Sequence, residues 1–253
     1  MNIKSAIIIG KNILKDQYIQ TAQLDTEILM AKAIDEDRKY IILNDQKNLK
    51  NTNLKYFKKL IKERASRKPI AYLVEQKFFW NSEFTVTNDT LIPRPDTELL
   101  VESILKLTKN KNKMNILDVG VGSGCVLLSI LKEKKNFYGT GIDISKKCIN
   151  ISKKNAIKLK LDSRVRFYKS DVDKFSLGKY DIIVSNPPYI KNYNLKYLER
   201  DVANFEPKLA LDGGLDGLSE IRKVIRKSSE LIKKNGKFIL EIGFDQKNKV
   251  INL

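Results

Sequence analysis

The chain has 253 residues, with 48 Lys and Arg against 30 Asp and Glu for a formal net charge of +18. It has no His, and its two cysteines, Cys125 and Cys148, lack metal-site spacing, which excludes a zinc centre and a His-based nucleophilic triad. Only nine of the basic residues are Arg, and the Lys surplus travels with frequent Asn and Ile, so the charge reads as genomic nucleotide bias and solvated faces, not a base-reading surface.

Taken in chain order, the first 75 residues read as a helical domain, with Leu24, Ile28 and Ala31, and then Leu54, Phe57 and Ile61, spaced to share one face. Ile7-Ile8-Ile9 is too short for a signal sequence or membrane span, and no other apolar run approaches the length, so no membrane association and a cytoplasmic location are expected. Residues 76–90 switch to aromatic and β-branched types around Asn81-Ser82, as in a β-hairpin linker, leaving 91–253 as the larger second domain. The stretch from Leu91 to Glu98 enters a helix with Pro at its start and acids in its first turn, which is ordinary capping for Arg94, Asp96 and Glu98.

From here strands alternate with helices, which implies an α/β fold with a parallel sheet covered on both faces. Met114 to Val119 is strand-like and is followed by Gly120-Val121-Gly122-Ser123-Gly124 and a helical pattern from Cys125 to Leu131. Three alternate glycines let a backbone approach a ligand and leave N–H groups open at a helix start, although dinucleotide enzymes use similar turns. Cys125, at that helix start, is expected to be a small core residue and not a thiolate. The next strand, Phe137 to Asp143, ends in an acid roughly 20 residues past the glycines, the place from which a carboxylate binds a ribose diol. Val165 to Lys169 is a further strand, and Asp171 after it is equally a helix cap or a cofactor contact.

Tyr180 to Ser185 is a buried strand, stopped by Asn186-Pro187-Pro188-Tyr189. An Asn fixed at the carboxyl end of such a strand pairs with a planar amide or amine, the Asn186 and Pro187 carbonyls stay free as acceptors, and Tyr189 offers a flat cover. A helix with Leu218, Ile221, Val224, Ile225, Leu231 and Ile232 on one side precedes a last strand, Lys237 to Glu241. The remaining residues suffice for part of a helix, so the sheet is expected to hold five parallel strands and to expose its last edge.

The acid-x-Gly-x-Gly-x-Gly pattern from Asp118 to Gly124 and the motif Asn186 to Tyr189 together resemble the S-adenosylmethionine-dependent methyltransferases of Rossmann-like fold. Leu91-Ile92-Pro93-Arg94-Pro95-Asp96-Thr97-Glu98, Lys68 to Leu73, and Phe205-Glu206-Pro207 with Ala210-Leu211 are similar to segments of the bacterial release factor glutamine N5-methyltransferase family. That resemblance implies methyl transfer from S-adenosylmethionine to the glutamine of the Gly-Gly-Gln motif in peptide chain release factors, and a sheet that usually adds two further C-terminal strands, which are expected to be missing here. It implies Gly120, Val121, Gly122, Ser123, Gly124, Asp143 and Asn186 around the cofactor, with Asp171 and Val172 edging the adenine. Asp118 is expected to fix the glycine loop.

In this reading Asn186, Pro187 and Tyr189 are catalytic, and with Pro188 they bind the substrate amide. The Asn186 side-chain oxygen and the Pro187 carbonyl accept its two hydrogens, and no titrating base is needed. The alternatives are an amino-methyltransferase acting on adenine N6 or guanine N2 of a nucleic acid, one acting on a ribosomal-protein glutamine, and a non-enzymatic adaptor. No stable nucleic-acid complex is expected, because no second region rich in Arg and aromatics is present for target reading.

Overall fold

The computed structural model describes all 253 residues, in two compact units. The first comprises Met1–Glu75 together with Arg200–Phe205. It begins with α1 (Ile3–Asp16), whose first turn is capped by Asn2 accepting from the Ser5 N–H at 2.9 Å, and continues through α2 (Ala22–Ile34), α3 (Arg38–Leu43), α4 (Asn51–Ala65) and α5 (Ile70–Val74). Ile3, Leu14, Leu29, Met30, Phe57 and Leu60 are buried together. The face expected for α2 is not the one buried. Leu24 is exposed and Ile28 and Ala31 are half-buried, while Asp25, Thr26, Leu29, Met30 and Ala33 point inward. Apolar residues lie nearly all round this helix, and its inner face is decided by a charge, Asp25, which meets Arg64 of α4. Periodicity reads that charge as a solvated side.

The second unit, Gln76–Glu199 with Glu206–Leu253, opens with a hairpin of β1 (Gln76–Phe79) and β2 (Ser82–Thr85), turning at Trp80-Asn81. A single 3₁₀ turn, Pro95–Thr97, leads into α6 (Glu98–Leu107). Then β3 (Asn115–Val119), α7 (Cys125–Glu133), β4 (Tyr138–Asp143), α8 (Lys146–Lys158), β5 (Val165–Lys169) and β6 (Tyr180–Ser185) follow. After α9 (Arg200–Phe205), which belongs to the first unit, the second continues with α10 (Ser219–Leu231), β7 (Ile232–Leu240) and α11 (Lys247–Ile251).

The sheet has the expected five strands, all parallel, in the order β5-β4-β3-β6-β7. The central strands are buried on both faces, which is why Ile116-Leu117 and Ile182-Ile183-Val184 read as unbroken apolar runs. One face packs on Leu127, Leu128 and Ile149, and the other on Phe175, Val224 and Leu231. The last strand starts earlier than expected. Ile232 already pairs with Tyr180, and the ladder resumes at Lys237 opposite Ile182, so the polar turn-like residues between are an irregularity within the strand. No helix is long and apolar enough to cross a membrane.

Within the first unit Arg64, 6% exposed, donates from Nε to Asp25 at 2.7 Å and from Nη1 to Asp201 of α9 at 2.8 Å and to the Lys68 carbonyl at 3.1 Å. Removing one partner of such a buried pair leaves uncompensated charge. Arg64→Ala is expected to lower stability by about 3–5 kcal/mol, read as a fall in the urea midpoint.

Candidate active site

Parallel register sets the site. Val119 of β3 lies opposite Ile142 of β4 and Ser185 of β6, and Ser185 lies opposite Leu240 of β7. One residue further along each strand stand Asp143, Gly120, Asn186 and Glu241, in a row across the carboxyl edge. The chain order reverses between β3 and β6, where open α/β sheets hold their ligands.

The glycine loop is tied down from beneath. The N–H groups of Gly120 and Val121 both donate to the Ile142 carbonyl at 2.9 Å. Gly122 N–H donates to Asp143 Oδ2 at 3.0 Å, and Ser145 N–H to Oδ1 at 2.8 Å. From α8, Ser152 Oγ donates to the Gly122 carbonyl at 2.7 Å and Asn155 Nδ2 to the Ser123 carbonyl at 2.8 Å. Gly120 and Gly122 adopt φ values of +76° and +54°, where a side chain is strained, and a Cβ on Gly120 would meet nothing within 4 Å. The loop thus presents bare backbone to open space. Asp118, buried below it, accepts from the Leu127 N–H near the start of α7. Burial pushes the Asp118 carboxyl up to about 7 against the hydrogen bond that lowers it. Burial likewise pushes the Cys125 thiol up to about 12, so this cysteine is no thiolate and packs against the core.

On the neighbouring strand, Ser185 Oγ donates to the Val119 carbonyl at 2.7 Å and binds the two strand ends together. Asn186 is half-buried and donates from Nδ2 to Thr97 Oγ1 at 3.1 Å, leaving Oδ1 as the end of the amide that Thr97 does not engage. Pro187 is buried. The Tyr189 hydroxyl points to Glu241 Oε1 at 3.4 Å, and the Tyr189 carbonyl accepts from Gln246 Nε2 at 3.0 Å. Ile190 exchanges backbone hydrogen bonds with the Leu211–Gly213 segment. Arg94 pairs with Glu206, which is buried and also accepts from the Ile92 N–H at 3.2 Å. The proline-rich segment and the Phe205-Glu206-Pro207 segment, distant in sequence, therefore meet.

Asp171 and Val172 lie past the end of β5, on the far side of β4 from Asn186. Asp171 caps the turn Val172–Lys174 by accepting from the Asp173 N–H at 3.0 Å, and Val172 packs half-buried against the cluster that holds Val224.

Residues 95–215 match the methyltransferase small domain family, and residues 5–74 match the PrmC N-terminal domain family. The chain is 36% identical, over its whole length and 90% of the relative's, to a release factor glutamine methyltransferase of Clostridium acetobutylicum. It is 38% identical, over 99% of its length and 88% of the relative's, to the protein of that name from Buchnera aphidicola subsp. Acyrthosiphon pisum. The chain belongs to the release factor glutamine methyltransferase family.

A family of methyltransferases dependent on S-adenosylmethionine requires a place for that cofactor, and the residues present fit it. Gly120 leaves its backbone facing open space that a Cβ would occupy. Asp143 accepts from the Gly122 and Ser145 N–H groups and has the Cys148 thiol beside it, so its carboxylate, with roughly four acceptor positions, keeps capacity for a ribose hydroxyl. Glu241, Gln246, Ser152 and Asn155 escape a reading of motifs, and Thr97 and Glu206 enter one only as members of longer segments, because each acts by reaching across the fold to another segment's loop. Glu241 carries a signal of its own, since it directly follows a strand at the edge where Asp143 and Asn186 stand.

The Asp118 shift makes stability depend on pH. A folded carboxyl raised from 3.8 to about 7 holds a proton that the unfolded chain releases. Its stabilising contribution is complete below pH 3.8 and is lost as pH rises to about 7. Asp118→Asn keeps an acceptor for the Leu127 N–H without the titration, so its stability from pH 4 to 7 is expected to fall less steeply than the parent's in paired urea titrations.

Proposed function

We propose that this protein transfers the methyl group of S-adenosylmethionine to N5 of the glutamine in the Gly-Gly-Gln motif of peptide chain release factors. The reading is carried by the Asn186 amide, held beside the glycine loop in a chain that matches release factor glutamine methyltransferases along its length. A glutamine amide nitrogen is a weak nucleophile, its lone pair being delocalised into the carbonyl. Bound S-adenosylmethionine supplies an activated methyl group on a sulfonium. The protein's task is then to place the amide.

Asn186 Oδ1 and the Pro187 carbonyl accept the two amide hydrogens, which aims the nitrogen and stabilises positive charge as it develops, and one of the two amide protons is released to water once the nitrogen carries the methyl group. Tyr189 covers the planar guest and excludes water, with Pro188 keeping the turn rigid. Gly120, Val121, Gly122, Ser123 and Gly124 line the methionine part of the cofactor, Asp143 holds the ribose, and Asp171 and Val172 border the adenine. The helices of residues 1–75 recognise the release factor, residues 76–90 link, and 91–253 catalyse. The high positive charge speeds encounter with an acidic or ribosome-bound partner in a salt-dependent way. A partner of this kind places the enzyme in the cytoplasm.

The direct test incubates the protein with labelled cofactor and, separately, release factor, DNA or RNA, and locates the methyl group by mass spectrometry. Label on the Gly-Gly-Gln glutamine is expected, and label on a base alone would overturn the assignment. Asn186→Ala is expected to abolish transfer, a transition-state loss of about 2–4 kcal/mol, while cofactor affinity by calorimetry stays within a few-fold. Asp143→Ala should do the reverse, weakening cofactor binding so that saturating cofactor restores much of the rate. An unchanged affinity in that variant would make Asp143 structural.

A further inference from the structure

Glu241 has no part in the reactions described so far, yet it occupies the site. Its backbone N–H donates to the Ser185 carbonyl at 3.0 Å, which fixes it beside the Asn186 peptide. Its side chain faces three polar groups: the Tyr189 hydroxyl, 3.4 Å from Oε1, the Thr97 hydroxyl and the Asn186 amide. Oε2 is shut from solvent with no aligned donor. Thr97 is itself 3% exposed, while Asn186, Tyr189 and Glu241 are half-buried.

A primary amide has a donor end and an acceptor end of nearly the same shape, and only its neighbours decide which end faces which way. An ionised carboxylate accepts and never donates. The Thr97 hydroxyl has one proton, and directing it at Glu241 leaves Thr97 Oγ1 as an acceptor. Asn186 must then turn Nδ2 toward Thr97, as it does at 3.1 Å, and Oδ1 the other way.

We infer that Glu241 is a positioning residue that, with Thr97, sets the rotational sense of the Asn186 amide so that its acceptor end meets the N–H of the substrate glutamine. The inference rests on the reading of Asn186 as the acceptor for that amide. Reversed, Asn186 would present NH₂ to NH₂, and the substrate would lose the contact that aims it.

The orientation holds only while Glu241 is ionised. Burial pushes its carboxyl up, opposed by the hydrogen bonds of Thr97, Tyr189 and Asn186 and reinforced by the negative charge of Asp96. Arg94 acts on the same cluster through Tyr189. As pH falls through the raised value, the protonated carboxyl becomes a donor and Thr97 is free to donate to Asn186 instead. The profile of kcat/KM against pH, which reports groups of the free enzyme, therefore has an acid limb that belongs to Glu241.

The test uses the full chain with intact release factor. Glu241→Gln is expected to lower kcat/KM about 10- to 100-fold, the range for residues that orient a contacting group, to remove the acid limb, and to leave cofactor affinity by calorimetry within twofold. Thr97→Val should lose activity at unchanged cofactor affinity, and Thr97→Ser, which keeps the hydroxyl, should recover most of that loss. This pair decides the question if Glu241→Gln does not fold. A Glu241→Gln protein with parental kcat/KM and the same acid limb overturns the inference, as does a Thr97→Val protein of parental activity. Asn186→Ala separates the two levels of failure: if it retains activity, the reading of the site falls, and if it is inactive while Glu241→Gln is normal, only the role of Glu241 falls.

Discussion

Parallel pairing makes neighbouring strands end at the same edge, and in this protein the whole site hangs on one such register. Val119 lies opposite both Ile142 and Ser185, and Ser185 lies opposite Leu240. The residues that follow these pairs, Asp143, Gly120, Asn186 and Glu241, come from strands far apart in sequence and need no further folding to become neighbours. A slip of one residue between β3 and β6 would turn Asn186 to the opposite face of the sheet. The buried bond from Ser185 Oγ to the Val119 carbonyl stands at the point where such a slip would begin.

Beyond the strand ends there is no ladder, and the loops are held instead by buried polar side chains. Ser152 and Asn155 hold the glycine loop, Gln246 holds the carbonyls of Tyr189 and Gly217, and Glu206 holds Arg94 and the Ile92 peptide. Each hydrogen bond adds only about 1 kcal/mol net, but each group left unpaired in these surroundings costs more than that. The network is accordingly a device for uniqueness of geometry more than for stability. Asp118 shows the opposing cost, a carboxyl buried under the loop where its charged form is disfavoured.

Those two kinds of order differ in how far they can be read from the chain. Strand ends and glycine turns are local, so Gly120 to Gly124, Asp143 and Asn186 to Tyr189 stand out as residues, and the five parallel strands follow from alternating apolar runs. The inner face of α2 does not, because an ion pair with Arg64 inverts the meaning of Asp25. The early start of β7 is hidden by Lys233 to Gly236, which resemble a turn and in fact interrupt a ladder. Gln246 acts across a long sequence separation with nothing in its immediate neighbours to mark it, whereas Thr97 and Glu206 stand in recognisable segments that do not show what they hold.

Asn155 carries one more consequence. Its Nδ2 serves the Thr85 carbonyl at 3.0 Å as well as that of Ser123, and its Oδ1 accepts from the Thr85 N–H at 2.8 Å. One fully buried amide thus belongs at once to the hairpin and to the glycine loop. Their local openings share a common element, so a ligand that quiets the loop must also slow amide exchange in β2, and a hairpin that frays must weaken that ligand by the same factor. The hairpin is in this sense a thermodynamic reporter on the pocket, although no residue of β1 or β2 stands in it.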